Sequence, residues 1–506
     1  MKIEKLILQN FRSYKEETVI EFKDLTVFVG KNDIGKSTIL EALDIFINEN
    51  KGTIKLDKDD INKQALVDGN DEVKIGIVFG DLPATLTIDA TNPTTLAEEY
   101  LLNRDGKLEI IKKFPNAGKE KIFVKAYHPT NESCADLLLK KQADLKKLLT
   151  DSMQCADHGK NAEIRKAIWS YYSDSLKLED VEIELAKLDA KNIWEQLKTY
   201  LPMFALFQSD RKNSDGDTEI QNPMKLAVQE ILKDQKLIDT LNKVAQEVTA
   251  KLTAVAAKTL EKLNEMNPDI AKSLTPEIPS PDNLKWIDVF KSVSITGDEN
   301  IPINKRGSGV KRLILLNFFR AEAERRKNEN KVTDIIYAIE EPETSQHPKH
   351  QKALIKAFKS LAKTENTQII LTTHSPSIVK LLNFEDIKLI KDEPVKEIIN
   401  VDENELPYPS LNEVNYLAFG ESDDEYQNEL YGYIESEEKL PDYKNGKDQI
   451  LYKKLKGAVL FDTQIILSEY IRHQIHHPEN THNVRYTNDQ LQESIGHMRV
   501  FVQTLV

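Results

Sequence analysis

Gly30-Lys31-Asn32-Asp33-Ile34-Gly35-Lys36-Ser37-Thr38 fits the pattern GxxxxGK[ST], and what surrounds it decides the fold. LTVFVG (25–30) is a short apolar run closed by a glycine, which predicts a buried strand. STILEALDIFI follows at once and predicts a helix. A strand, a glycine-containing turn and a helix in that order make a phosphate cradle. Backbone N–H groups of the turn wrap the anion, and the helix N-terminus adds partial positive charge. Lys36 is placed to reach the β- and γ-phosphates of ATP, and the Ser37 hydroxyl to hold Mg²⁺. Gly30, Asn32, Gly35 and Thr38 complete the loop.

The other half of such a site lies about 300 residues further on. IIYAIEEPE (335–343) is an apolar strand ending in acids. Glu340 is expected to hold Mg²⁺ through water, and Glu341 to activate the attacking water as a general base. QIILTTHSP (368–376) is a further buried strand with His374 at its polar end. After an acid-tipped strand, His374 reads as a γ-phosphate sensor, although a lone histidine there can also be structural. Lys305-Arg306-Gly307-Ser308-Gly309-Val310-Lys311-Arg312 opens the helix LILLNFFRAEAERR. A Ser/Gly turn before a helix can bind an anion. With the first site already furnished, Ser308 and Gly309 are expected to cap the nucleotide of a second subunit. A plain glycine-rich loop is the alternative.

Bulk composition is that of a globular chain. At 506 residues, roughly 150 per domain, two to four domains are expected. The chain is 40% hydrophobic and 30% charged, and no apolar run approaches the roughly 18 residues of a membrane span. The N-terminal MKIEKLILQNFRSYKEE lacks the apolar core of a signal peptide. Cys134 and Cys155 have no CxxC spacing. These features predict a cytoplasmic protein with no membrane contact. A net charge of −14 excludes a general nucleic-acid coat but not a local basic site.

Along the chain, the reading is an α/β head split by a helical insertion, with an all-helical C-terminal domain. The head's first part covers 1–90, including a strand at 71–80 (DEVKIGIVFG). The insertion, mostly helical, covers 91–290. Its longest pattern runs from Leu237 through Leu241, Val244, Val248, Leu252, Val255 and Leu260 to Leu263, between Pro223 and Pro268. A continuous helix there would span roughly 60–70 Å. It reads as a bundle face, with a protruding coiled-coil arm as the alternative. The head resumes over 291–400. Past the boundary DENELPYPS (402–410), residues 405–506 read as helices only.

With these residues in hand, the head resembles the RecF/SMC/OLD branch of ABC-type ATPases. The marks are Asn10-Phe11-Arg12-Ser13-Tyr14, Asn32 in the loop, Ser308-Gly309, Glu340-Glu341-Pro342-Glu343 and Thr373-His374-Ser375-Pro376. They cover roughly 1–90 and 300–395. The resemblance implies an ABC-type head that binds ATP and Mg²⁺, adds Arg12 to the nucleotide-binding set, and pairs with a second head. Size, acidity and insertion look similar to the ATPase subunits of bacterial anti-phage systems such as Septu and PARIS. Two features depart from the branch. Residues 377–410 carry no glutamate-plus-DxD cluster for the TOPRIM nuclease of OLD proteins. Ser345-Gln346-His347-Pro348 stands where a Leu-His-Pro is usual. Gln208 in LFQSDR is a possible Q-loop glutamine.

Five of the ten histidines fall within 473–497. In SEYIRHQIHHPEN (468–480), Arg472 and His477 form an R-x4-H pattern at the end of an expected helix, LFDTQIILSEYI. This resembles the HEPN family of small helical ribonucleases. The resemblance implies that Arg472 stabilises the scissile phosphate of RNA and that His477 moves protons. Metal binding by His473, His476, His477 and His482 is a second reading, and a docking surface for a partner effector a third. The functions left open are an ATP-controlled RNase in one chain, an ATPase scaffold governing a separate nuclease or toxin, and RecF/SMC-like DNA repair. The lack of a long coiled-coil hook weighs against an SMC role.

Overall fold

The structure, a computed structural model, describes residues 1–88, 93–185, 190–208, 228, 230–266, 334–344, 347–391, 396–401, 406–457 and 459–505. The chain forms two compact units, Met1–Ser209 with Arg325–Val506, and Asp210–Glu324. Ser308 and Gly309 lie outside the described residues.

The first unit is built on two six-stranded sheets. One starts with β1 (Lys2–Gln9) and β2 (Thr18–Glu21). The other contains β3 (Leu25–Val29), which leads into helix α1 (Lys36–Ile47). After the short α2 (Lys63–Val67), β4 (Glu72–Gly80) returns to the first sheet. A two-residue pair follows, β5 (Leu86–Thr87) with β6 (Pro93–Thr94). Then come β7 (Leu108–Pro115), β8 (Lys121–Pro129), α3 (Gln142–Leu148), α4 (Asn161–Tyr171), β9 (Leu178–Glu184), α5 (Ala190–Leu197) and β10 (Met203–Phe207). Beyond the second unit lie β11 (Ile335–Glu340), α7 (Pro348–Ala362), β12 (Thr367–Thr373), α8 (Pro376–Val379), β13 (Ile387–Lys391) and β14 (Glu397–Asn400). Within the second unit, α6 spans Gln235–Met266. Its 32 residues make about 48 Å at 1.5 Å each, shorter than a helix filling the whole interval between Pro223 and Pro268.

The second sheet has the order β10-β11-β12-β3-β13-β14, with every pairing parallel except β13 with β14. β3, β11 and β12 are buried along their whole length, as strands covered on both faces must be. That is why they read as unbroken apolar runs.

The first sheet, β2-β1-β4-β7-β8-β9, is antiparallel throughout. It corrects the expectation of a mostly helical insertion from residue 91, because β7, β8 and β9 continue the sheet begun by β1 and β4. β8 alternates buried and less buried residues with period two, its outer positions carrying Lys121 and Lys125. Such strands look polar in composition while still burying one face. Gln368 of β12 ties the two sheets together. Its side chain accepts from Ile3 N–H at 3.0 Å and donates to Ile3 O at 2.8 Å and Lys23 O at 3.0 Å.

The C-terminal region contains α9 (Leu411–Phe419), α10 (Asp424–Ser436), α11 (Leu440–Lys444), α12 (Leu467–His476) and α13 (Asn488–Gln503). Ser410, Asp423 and Thr487 cap three of them through side-chain oxygens. Tyr426, Leu430, Ile434, Ile471, Ile495 and Met498 form its core. The expectation of helices only is corrected by an antiparallel hairpin, β15 (Gln449–Lys456) with β16 (Val459–Ile466). The expected helix LFDTQIILSEYI is therefore strand up to Ile466 and helix only from Leu467. Lys456 pairs with Val459, and Gly457, just past the end of β15, takes a positive φ of 61° that suits a glycine. Among the described residues, no helix is long and apolar enough to cross a membrane.

Candidate active site

β3, β12 and β11 lie side by side and parallel, so their C-terminal ends open on one edge. Val29 pairs with Thr373, and Thr372 with Glu340. Residues 300 apart in sequence thus meet at one rim, where ligands bind in open parallel sheets.

The loop after β3 has the backbone its sequence calls for. Gly35 sits at φ +99°, and a Cβ there would come within 3.0 Å of Ser13 Oγ and 3.1 Å of Lys396 Nζ. A Cβ on Gly30 would lie 3.0 Å from Ile34 Cγ2 and 3.3 Å from the Ile390 carbonyl. Asn32 is exposed, Ser37 is half-buried in the first turn of α1, and Thr38 is buried. The buried Lys36 donates from Nζ to the carbonyls of Gly30 at 2.8 Å and Lys31 at 2.6 Å. Burial pushes its pKa down, while the charges of Glu341, Glu343 and Asp33 pull it back up. Lys36 is therefore a desolvated cation facing the acidic strand end.

At that strand end, Glu340 is the last residue of β11 and is buried. Glu341 follows at φ +41°, its N–H donating to Thr372 O at 3.1 Å. Its Oε1 lies 2.9 Å from His374 Nδ1. His374 stands just past β12 and is partly exposed. The expected acid and histidine are thus in direct contact. A carboxylate poised on a histidine beside a desolvated lysine can orient a water, take its proton and report on an anion above it.

Arg12 lies beside the loop in a turn that begins with Asn10 at φ 55° and includes Arg12 itself at φ 49°. Its guanidinium pairs with Glu41, and its Nε donates to Asp60 at 2.7 Å. These two acids raise its pKa, although burial opposes them as the largest single influence. Gln208, just past β10, donates to Glu41 Oε1 at 3.3 Å, so it reaches the Arg12–Glu41 pair.

Sequence reasoning passed over two residues. Lys396 arrives from just before β14, and its Nζ donates to Ser13 Oγ and to the Ile34 carbonyl, both at 2.8 Å, over the Tyr14 ring. Tyr14 O–H in turn donates to Gly35 O at 3.2 Å. No local pattern marks a lone lysine 360 residues from its loop. Glu343 was visible in the EEPE run, but nothing there assigned it a role; it is buried against Thr373 and His374. Burial raises its pKa.

The C-terminal pair is placed differently. Arg472 on α12 lies over the Tyr431 ring, 4.3 Å from its centroid, and pairs with Glu435 at 3.0 Å. His477 caps the same helix and faces Glu479 at 3.1 Å. His473 stacks on Tyr452 and lies 6.3 Å, ring to ring, from His477. Arg472 is thus occupied on α10, while His473 packs on Tyr452 of the hairpin. Among the described residues, no cluster of three or more His, Cys, Asp or Glu residues is arranged to hold a metal.

The fold and this site define a phosphate-loop nucleotide-binding ATPase head on a parallel sheet. The profile of the AAA ATPase domain matches residues 1–379, and the chain belongs to that family. By that membership it carries an ATPase domain. Endonuclease GajA of Bacillus cereus strain HuB5-5 is 25% identical over 411 residues, covering 75% of this chain and 56% of that protein. Endonuclease GajA of Bacillus cereus strain VD045 is 23% identical over 406 residues, 79% of this chain and 59% of that one. The OLD nuclease of Thermus scotoductus is 26% identical over 173 residues, 32% of each chain. The chain thus spans less than two thirds of the length of these relatives. Among solved structures, an SMC head domain from Thermotoga maritima covers 79% of this chain and 99% of its own at 13% identity, with a TM-score of 0.33.

Proposed function

We propose that this chain is a Mg²⁺-dependent ATPase that regulates a nuclease effector in anti-phage defence. The observation that carries the hydrolytic part is the 2.9 Å contact of Glu341 with His374 at the strand edge that also presents Lys36. The donor set suits Mg²⁺: a serine hydroxyl, Ser37, and a carboxylate, Glu340, are hard oxygen ligands, with phosphates and water completing the shell. Mg²⁺ there would neutralise phosphate charge. Glu341 takes a proton from water as its oxygen attacks the γ-phosphorus, and the bond from that phosphorus to the β–γ bridging oxygen breaks to leave ADP. Lys36 holds the phosphates, and Arg12 supports the loop through Glu41. Ser308 and Gly309 cap the nucleotide of a second head in an ATP-linked dimer.

The nuclease link is drawn from the relatives, which are named as nucleases, and from the likeness to defence ATPases. The effector is a separate partner that acts on nucleic acid. The alternative, RNA cleavage by Arg472 and His477, is disfavoured by the engagement of Arg472 with Tyr431 and Glu435. In bacteria challenged with phage, the parental chain with its partner is expected to protect, and Lys36→Ala and Glu341→Gln to lose protection. Equal protection by all three would overturn the regulatory reading. Cleavage of RNA by the purified chain in EDTA, abolished by His477→Ala, would restore the ribonuclease.

A further inference from the structure

Glu343 is a buried carboxylate, with its side chain only 4% exposed. It sits in the turn after β11, two residues beyond Glu341. Oε1 accepts from Thr373 Oγ1 at 2.6 Å and from the His374 backbone N–H at 3.3 Å, and lies 3.9 Å from His374 Nδ1. Its own carbonyl accepts from Gln351 Nε2 of α7 at 3.5 Å. The carboxylate therefore bridges the turn that carries Glu341 to the end of the strand that carries His374. Oε1 is held in this way, while Oε2 is buried with no hydrogen-bond partner among the described residues, so the cost of burying this carboxyl group is only partly offset. Strand pairing between β11 and β12 does not need it, since the backbone ladder already joins them. What Glu343 adds is a fixed position for the residue immediately after that ladder.

We propose that Glu343 is a positioning residue for hydrolysis, holding the His374 backbone and Thr373 so that His374 Nδ1 stays on Glu341. This rests on the reading of Glu341 as base and His374 as its partner. Without the buried carboxylate, the backbone past Thr373 loses its acceptor and the histidine leaves its place. ATP binding, which depends on the loop after β3, is spared.

The test uses the full chain, with kcat and KM for ATP and the affinity for the slowly hydrolysed analogue ATPγS. Glu343→Ala is expected to lower kcat roughly 10- to 100-fold, the scale of a misplaced reacting group, with KM and ATPγS affinity within about twofold. Glu343→Gln, which keeps an acceptor oxygen, recovers most of the rate. In a His374→Ala background, Glu343→Ala is expected to cost nothing further. Thr373→Val, which removes the hydroxyl that donates to Glu343 and accepts from Ser375 N–H but keeps the carboxylate's bond to the His374 N–H, should show a smaller loss with the same dependence on His374, and it serves if Glu343→Ala does not fold. A multiplicative loss in the double variant, or a rise in KM that matches the fall in kcat, would overturn the proposal. A parental rate in His374→Ala would instead overturn the underlying role of the histidine, and the proposal with it.

Discussion

At the scale of single residues, charge and burial set the terms. Lys36 is buried, and burial lowers its pKa from the ordinary 10.5. ATP needs the ammonium form, so affinity for ATPγS is expected to fall as pH rises through that lowered value, which lies below 10.5. Lys36→Arg, which stays charged, should flatten this alkaline loss, and calorimetry from about pH 7 to 10 measures both. The effect on stability has the opposite sign. Between the lowered pKa and 10.5 the unfolded chain binds more protons than the folded one, so the destabilisation from burying Lys36 diminishes as pH rises there. Lys396 works from outside the loop. Removing its two hydrogen bonds in Lys396→Met is expected to raise KM for ATP by roughly tenfold, the weight of one charge-assisted hydrogen bond, with kcat little changed. Lys396→Arg should recover part of this. Steady-state kinetics on the two variants decides it.

At the scale of elements, the parallel strands β3, β11 and β12 and the antiparallel β4 were legible, and the antiparallel strands β7, β8 and β9 were not. LTVFV, IIYAIE and TQIILTT are buried on both faces, so their apolar runs announce them. β7 carries Lys112, fully buried, next to Lys113, and this pair breaks both the apolar run and the alternation by which a strand is read. The hairpin of β15 and β16 was hidden by the helix that follows it without a break. Glu341, His374 and Lys36 stood out as candidates because each sits at the end of such a buried strand or opens a helix. Lys396 could not, since its role depends on tertiary closure. The antiparallel half of the unit contains a buried ion pair, in which Arg165 of α4 grips Glu99 through Nε–Oε2 at 2.6 Å and Nη2–Oε1 at 2.9 Å. Their side chains are 3% and 2% exposed. Glu99→Ala strands a buried guanidinium and is expected to cost about 3–5 kcal/mol. Joint replacement of both by methionine should recover most of that. Denaturant unfolding of the two variants checks it, and equal losses would show that the pair itself is not the cause.

At the scale of the whole unit, the ATP site is joined to the C-terminal helices through the segment after His374. Asn415 of α9 donates to the Pro376 carbonyl at 3.3 Å, and Lys380 pairs with Asp423 at 2.8 Å and Glu425 at 2.5 Å. His374 is thus separated from these contacts with the C-terminal region by only a few residues. All of this depends on hydrolysis at one edge of one sheet. The most direct measurement is phosphate release from ATP and Mg²⁺ by the full chain and its Glu341→Gln variant, with ATPγS affinity determined for each. Glu341→Gln is expected to bind ATPγS like the parent and to release phosphate at least about 100-fold more slowly, the share a general base contributes. Phosphate release at the parental rate by Glu341→Gln would contradict the assignment of the base and the site built around it.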